Sequence, residues 1–178
     1  STSEEVKLAL DAARARVHAI AAAHRRLRLG DDMENTTADD FLDAVLQDLA
    51  GSVADKATVK LTSEIEPIEI KARDATTVGI LVGELVSNAL KHAFPDSRSG
   101  WVKVALKRDA AGTPTLTVSD NGVGLDNPAE PGHSGLGTLI IKQLARQFGG
   151  VPTYDAGEER GLTVTVPLPG IEPGRAAD

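Results

Sequence analysis

Glu84–Ala93 reads ELVSNALKHA and lies within the long helical pattern of the central region. At about 100° per residue, Val78, Leu81, Val82, Leu85 and Ala89 fall on one apolar stripe, the core-facing pattern of an amphipathic helix. Glu84, Asn88 and Lys91 fall together on the adjacent flank, with His92 between them and the stripe. A carboxylate, a carboxamide and an ammonium beside a buried face each cost free energy unless partnered, so the grouping points to a ligand site. Asn and Glu present hard oxygen to a small cation, while Lys and His present positive charge or N–H donors to phosphate. The competing reading is an ordinary charged helix rim.

Composition narrows the function classes. A chain of 178 residues can bury one core and carry an appendage, but it is short for two full domains. With 41% hydrophobic and 3% aromatic residues, the core must be built from Leu, Val, Ile and Ala, and stacking platforms for single-stranded nucleic acid are nearly absent. A net charge of −7 offers no general attraction for nucleic acid or an anionic membrane. The absence of cysteine excludes disulfides, thiolate catalysis and Cys-based zinc sites, and is compatible with a cytoplasmic setting. No apolar run reaches the length of a membrane span, and the start carries no signal-peptide pattern. Because it begins at Ser1 without methionine, the chain is expected to be a processed product or a piece of a longer protein.

Upstream, Glu4–Leu29 is helical in pattern, with Val6, Leu10, Ala13, Val17, Ile20, His24 and Leu27 at alternating spacings of four and three. Such a seam needs a partner helix from this chain, another copy or a further segment. Arg25, Arg26 and Arg28 suit the helix C-terminus, which Gly30 ends. Asp31–Thr36 reads as a linker, followed by Thr37 as an N-cap. A second amphipathic helix carries Phe41, Leu42, Val45, Leu46 and Leu49 to about Ala50. Thr58–Ile65 and Pro67–Ala72 alternate as short strands. Asp74 is a natural cap for the central helix and Pro95 closes it.

Downstream, Trp101–Arg108 and Pro114–Asp120 alternate around a turn containing Gly112, as a hairpin does. Leu116, Val118 and Asp120 share one face, so an acid ends an inward-pointing row. Trp101 falls on the face opposite Val102, Val104 and Leu106, which predicts partial exposure. Asn121–Gly137 is loop, and His133 within it reads as a solvated residue. Thr138–Phe148 is a helix with Leu139, Ile140, Leu144 and Phe148 available to pack, stopped by Gly149 and Gly150. Val151–Asp155 and Leu162–Leu168 are strands, and a disordered tail is expected from Pro169.

The loop chemistry completes a pocket. Asp120 can accept a charge-assisted hydrogen bond from an exocyclic amine. Gly122 and Gly124 let the backbone turn close to a flat base, and Gly135 and Gly137 at a helix start expose N–H groups to phosphate oxygens. Each signal is weak alone, since Asp-Asn-Gly is most often just a turn. In order, with the helix at Glu84, they describe base, metal and phosphates along one groove.

ELVSNALKHAF, DNGVGL and SGLGT, in this order with strands between, resemble the asparagine box and the two glycine boxes of sensor histidine kinases, over about residues 55–169. The resemblance implies an α+β, two-layer sandwich of the Bergerat type that gyrase, Hsp90 and MutL share. Its mixed sheet carries helices on one face, with a long N-terminal helix in addition. It implies ATP and Mg²⁺ as cofactors. Asn88 then matches the Mg²⁺ ligand, and Glu84 the carboxylate that orients metal-bound water or assists as a base. Lys91 and His92 match the basic positions near the phosphates, and Asp120 the acid that holds the adenine amine. Gly122, Gly124, Gly135, Leu136, Gly137 and Thr138 match the ATP-binding and lid positions. The short lid without a Phe-rich box is similar to the type-2 and HWE histidine kinases. The type-2 branch fits better because no Trp-x-Glu precedes Asp120.

Domain expectations follow from the resemblance. Residues 1–30 form part of a dimerisation and phosphotransfer hairpin, 31–54 a linker and joining helix, 55–169 the catalytic domain and 170–178 a disordered tail. A homodimer through the N-terminal helix and a response regulator receiver domain are the implied partners, with no contact to nucleic acid or membrane. Two departures stand out. Leu162 occupies a position where many relatives carry the Thr or Ser that touches adenine through water. The phosphoacceptor motif, His-Arg followed shortly by paired asparagines, is absent, so the acceptor helix would precede Ser1, His18 and His24 are poor acceptors, and the chain alone is not expected to autophosphorylate. The implied reaction is transfer of the ATP γ-phosphoryl group to a histidine and then to a regulator aspartate. Alternatives are an anti-sigma-factor-type serine kinase and a non-catalytic histidine phosphotransferase or scaffold of the same fold.

Overall fold

A computed structural model describes residues 3, 6, 7, 10, 14, 17, 21, 35–53, 58–125 and 136–171. The described positions between Ser3 and Ala21 are helical. Val6, Leu10 and Val17, which belong to the expected seam, are 53%, 64% and 64% exposed, so none of the described residues buries them. His18, His24 and His133 lie outside the described residues.

The main body is a five-stranded mixed sheet with helices on one face. In chain order the elements are β1 (Asn35–Thr37), α1 (Ala38–Val53), β2 (Val59–Ile65), β3 (Glu69–Lys71) and α2 (Ala72–His92), then β4 (Gly100–Arg108), β5 (Pro114–Asp120), α3 (Leu136–Gln147), β6 (Thr153–Ala156) and β7 (Leu162–Pro167). The sheet runs β2-β4-β5-β7-β6, with β2 parallel to β4 and every other pair antiparallel. Parallel neighbours need a crossover connection, and α2 supplies it between β2 and β4. The helix therefore lies across the sheet.

Alternation decides which face it covers. On β5, Pro114, Leu116, Val118 and Asp120 are buried while Thr115, Thr117 and Ser119 are half-buried. The register extends this face sideways: Val104 pairs with Val118 and Val118 with Val164, and Leu106 pairs with Leu116 and Leu116 with Val166. Against it α2 buries Val78, Leu81, Val82, Leu85, Val86 and Ala89. The opposite face is polar and open, with Glu64 on β2 paired to Lys103 and Lys107 on β4. Trp101 is half-buried there, as its alternation predicts. Beside α2 and against β2, α1 contributes Phe41, Leu42, Val45, Leu46 and Leu49 to the same core. A Cβ at Gly79 would stand 2.9 Å from the Phe41 ring, so the two helices meet more closely than a side chain there permits.

Several local expectations are corrected. Asn35–Thr37 is a strand rather than linker, because it pairs antiparallel with β3 (Asn35 with Lys71, Thr37 with Glu69). Asp74 does not cap the central helix. Strand β3 runs straight into α2, so the extended Lys71 is the N-cap without a side-chain cap bond and Asp74 sits in the first turn. There its charge still suits the helix dipole. In α3, Ile141 and Ala145 are buried and Leu144 packs partly buried against the core, with Phe148 buried just past the helix end, whereas Leu139 is 52% exposed. Leu139 lies about 160° around the helix from Ile141 and so points outward. Strand β6 begins at Thr153 rather than Val151, which is exposed. Packing also continues past Pro169: Gly170 N–H donates to the Phe148 carbonyl at 2.8 Å, and Ile171 is buried. Among the described residues, no helix is long and apolar enough to cross a membrane.

Candidate functional site

The cleft forms where the second half of α2, the end of β5, the start of α3 and strands β6 and β7 converge. It encloses about 130 Å³. That is well below the roughly 300–1,000 Å³ of a typical small-molecule pocket, which suits a single ring system with the rest of the ligand running outward.

Its floor is Asp120, 3% exposed at the end of β5. The carboxylate Oδ1 accepts the backbone N–H of Gly122 at 2.9 Å and of Leu162 at 3.3 Å, and both bonds leave Oδ2 for a ligand. Burial pushes the Asp120 pKa above its ordinary value, and the two N–H groups offset part of that rise. Gly122 and Gly161 carry the backbone that makes this possible. A Cβ on Gly122 would collide with Ala93, and one on Gly161 with the carbonyl of Asp120. The loop is fastened to α2 as well, with Val123 N–H donating to the Ala93 carbonyl at 2.9 Å. Trp101 N–H donates to Asn121 Oδ1 at 2.7 Å. Gly124 adopts φ +71°, a left-handed conformation that glycine tolerates without strain.

On α2, Glu84 and Asn88 lie one helical turn apart and share a face. Glu84 is only 5% exposed. The first turn of α3 comes down on both: a Cβ on Gly137 would stand 3.3 Å from Glu84 Oε2 and 3.4 Å from Asn88 Oδ1. Two hard oxygen donors therefore converge beneath backbone N–H groups at a helix N-terminus. Among the described residues there is no cluster of three or more His, Cys, Asp or Glu that could hold a metal unaided. The donor set thus suits a cation that brings most of its own ligands, as Mg²⁺ does with waters and phosphate oxygens.

Of the residues singled out in the sequence, Asn88, His92, Asp120, Gly124, Gly137 and Thr138 line the cleft together. Glu84 lies beneath Gly137, and Gly122 is packed against Ala93 instead of lining it. Lys91 is half-buried on α2 outside the lining. Leu136 opens α3, and Gly135 lies outside the described residues. The sequence reading missed the apolar walls, made by Leu85, Ala89, Val118 and Val164, and it missed Tyr154. Leu85 and Ala89 belong to the stripe already assigned to the core, and no motif marks Tyr154.

The profile described as "Histidine kinase-, DNA gyrase B-, and HSP90-like ATPase" matches residues 73–171, more than half of the chain. The chain belongs to this ATPase family. A histidine kinase profile matches residues 1–53 of the same chain. Among curated relatives, the chain is 28% identical over 115 residues to blue-light-activated histidine kinase 2 of Erythrobacter litoralis, covering 64% of this chain and 33% of that protein. It is 29% identical over 164 residues to the sensor histidine kinase PdtaS of Mycobacterium tuberculosis, covering 90% of this chain and 32% of that one. The nitrate/nitrite sensor protein NarQ of Escherichia coli is 27% identical over 148 residues, covering 81% of this chain and 25% of its own length. The chain thus spans a quarter to a third of these relatives. Among solved structures, the kinase domain of the Erythrobacter litoralis EL346 blue-light-activated histidine kinase aligns with a TM-score of 0.74 at 22% identity, covering 89% of this chain and 79% of that one. That likeness is one of fold. Within the GHKL ATPase family, therefore, this chain carries the ATP-binding core of the two-component sensor histidine kinases.

Proposed function

We propose that this core binds ATP with Mg²⁺ and transfers the γ-phosphoryl group to a histidine, from which it passes to an aspartate of a response regulator receiver domain. The observation that carries the reading is Asp120. It is a buried acid at the floor of an apolar cleft, with one oxygen held by two backbone N–H groups and the other left for a ligand.

Asp120 accepts the exocyclic amine of adenine, while Leu85, Ala89, Val118 and Val164 cover the ring faces. Gly122 and Gly124 bring the loop backbone up to the base. At the phosphate end, Asn88 would hold Mg²⁺ and Glu84 would orient its water or assist as a base. Bound there, the ion neutralises charge on the phosphate oxygens. The N–H groups at the start of α3, at Leu136, Gly137 and Thr138, donate to phosphate, Lys91 and His92 add positive charge, and Gly135, outside the described residues, takes the same role on its sequence motif alone. In the transfer, a histidine nitrogen uses its lone pair to form the bond to the γ-phosphorus as the bond to the β–γ bridging oxygen breaks and ADP departs. That transition state is loose, so the protein chiefly positions groups and stabilises charge. A neutral imidazole needs no deprotonation to attack, so Glu84 need not be a strong base.

In this reading residues 55–169 are the catalytic domain. Residues 1–30 belong to a dimerisation and phosphotransfer hairpin, through which two copies associate in the cytoplasm, and 31–54 join the two parts. Exposure of Val6, Leu10 and Val17 supports a helical partner for that segment. The test is calorimetric titration of the chain with a non-hydrolysable ATP analogue, with and without Mg²⁺, beside Asn88→Ala and Asp120→Asn. Mg²⁺-dependent binding lost in Asn88→Ala and weakened in Asp120→Asn is the expected result; no binding by the unmodified chain would reject the reading.

A further inference from the structure

The base end of the cleft holds a strong acceptor, and a second polar group stands opposite it. An ionised carboxylate only accepts hydrogen bonds, so Asp120 answers the amine of a 6-aminopurine but none of its ring nitrogens, which are acceptors themselves. Leu85, Ala89, Val118, Leu162 and Val164 offer no side-chain donor there. Tyr154 on β6 lines the same cleft, and its phenol can both donate and accept.

The strand register fixes where that phenol stands. Tyr154 pairs with Val164 and Val164 with Val118, so all three share the inward face. Asp120 lies two residues beyond Val118 on β5. Tyr154 is therefore two strands across and one same-face step along from Asp120. With about 4.8 Å between strands and about 6.8 Å per two residues, the two Cα atoms are roughly 12 Å apart. A purine hydrogen-bonded at both edges fills such a span, lying over Val164 and Leu162. Among the described residues the Tyr154 hydroxyl makes no hydrogen bond. Burial raises its pKa, which keeps the proton on the phenol at neutral pH.

We propose that Tyr154 is a specificity-determining contact of the nucleotide cleft, its hydroxyl donating to a ring nitrogen of the purine whose amine Asp120 holds. This rests on the ATP reading above. It also answers the departure at Leu162: the hydroxyl missing from β7 is supplied from β6.

The test compares the unmodified chain with Tyr154→Phe by calorimetry against ADP and its 1-deaza, 3-deaza and 7-deaza analogues. Loss of one neutral hydrogen bond predicts about five- to tenfold weaker ADP binding by Tyr154→Phe, with the nucleotide-free melting temperature unchanged. One deaza analogue should bind the unmodified chain as weakly as it binds Tyr154→Phe, because the contacted nitrogen is gone. Tyr154 is the chain's sole tyrosine, so phenolate absorbance reports it alone, and saturating ADP should move its titration further upward. Equal ADP affinity of the two proteins, or a loss shared evenly by ADP and all three analogues, overturns the role of Tyr154 and leaves the ATP site standing. No ADP binding by the unmodified chain overturns both.

Discussion

Replacing Gly137 with Ala should separate folding from ligand binding. The added methyl would lie 3.3 Å from Glu84 Oε2 and 3.4 Å from Asn88 Oδ1, tight contacts that a shift of a few tenths of an ångström relieves. Gly137 is the second residue of α3 and does not have a positive φ, so alanine fits its backbone. Within a helix that change favours the folded state by up to about 1 kcal/mol, less in the first turn. The fold should therefore melt at the same temperature or slightly higher. The methyl, however, occupies the point on which the Glu84 and Asn88 oxygens converge, where a metal-bound phosphate would sit. Losing one charge-assisted interaction there costs about 1.5–3 kcal/mol, or roughly 10- to 150-fold in Kd. Calorimetry with a Mg²⁺-bound ATP analogue measures the affinity, and thermal melting measures the fold. Unchanged affinity in a well-folded Gly137→Ala protein would refute the geometry argued for these three residues.

Asp120→Asn removes the acceptor for the amine, so preference for adenine over guanine nucleotides should collapse in competition binding. The folded-state pKa of Asp120 is raised by burial, so its ionised form weighs against the fold at pH above that value, and the penalty is relieved as pH falls through it. The nucleotide-free Asp120→Asn protein should consequently melt no lower than the unmodified one at neutral pH. In the unmodified chain, binding should weaken on acidification from a pH above the usual carboxylate range, and this dependence should disappear in the variant. Gly161→Ala drives a Cβ into the Asp120 carbonyl oxygen, a backbone collision that no rotamer relieves. It should cost about 1–3 kcal/mol in denaturant unfolding and weaken nucleotide binding as well, because the Leu162 N–H moves with it. Phe41→Ala empties the contact between α1 and α2, at about 3–5 kcal/mol, measured by the same unfolding experiment.

What the sequence determined by itself was local. The stripe from Val78 to Ala89, the alternation of Pro114–Asp120 and the glycine-rich turns each express a backbone period or a φ requirement carried by neighbouring residues, so they can be read without knowing the partner. The polar residues of the cleft were legible for the same reason, since Glu84, Asn88 and Asp120 interrupt or end an apolar period. Tertiary structure alone decided everything that depends on register between distant segments. It joined Asn35–Thr37 to β3, turned Leu139 outward, and brought Leu162 N–H to Asp120 Oδ1. It also lowered Gly137 onto Glu84 and Asn88 and set Tyr154 into the cleft. A three-residue strand has no period of its own, and a side chain's neighbours across a sheet follow from strand order. That order is fixed by how the whole apolar face is buried beneath α2, and no single stretch of the chain contains it.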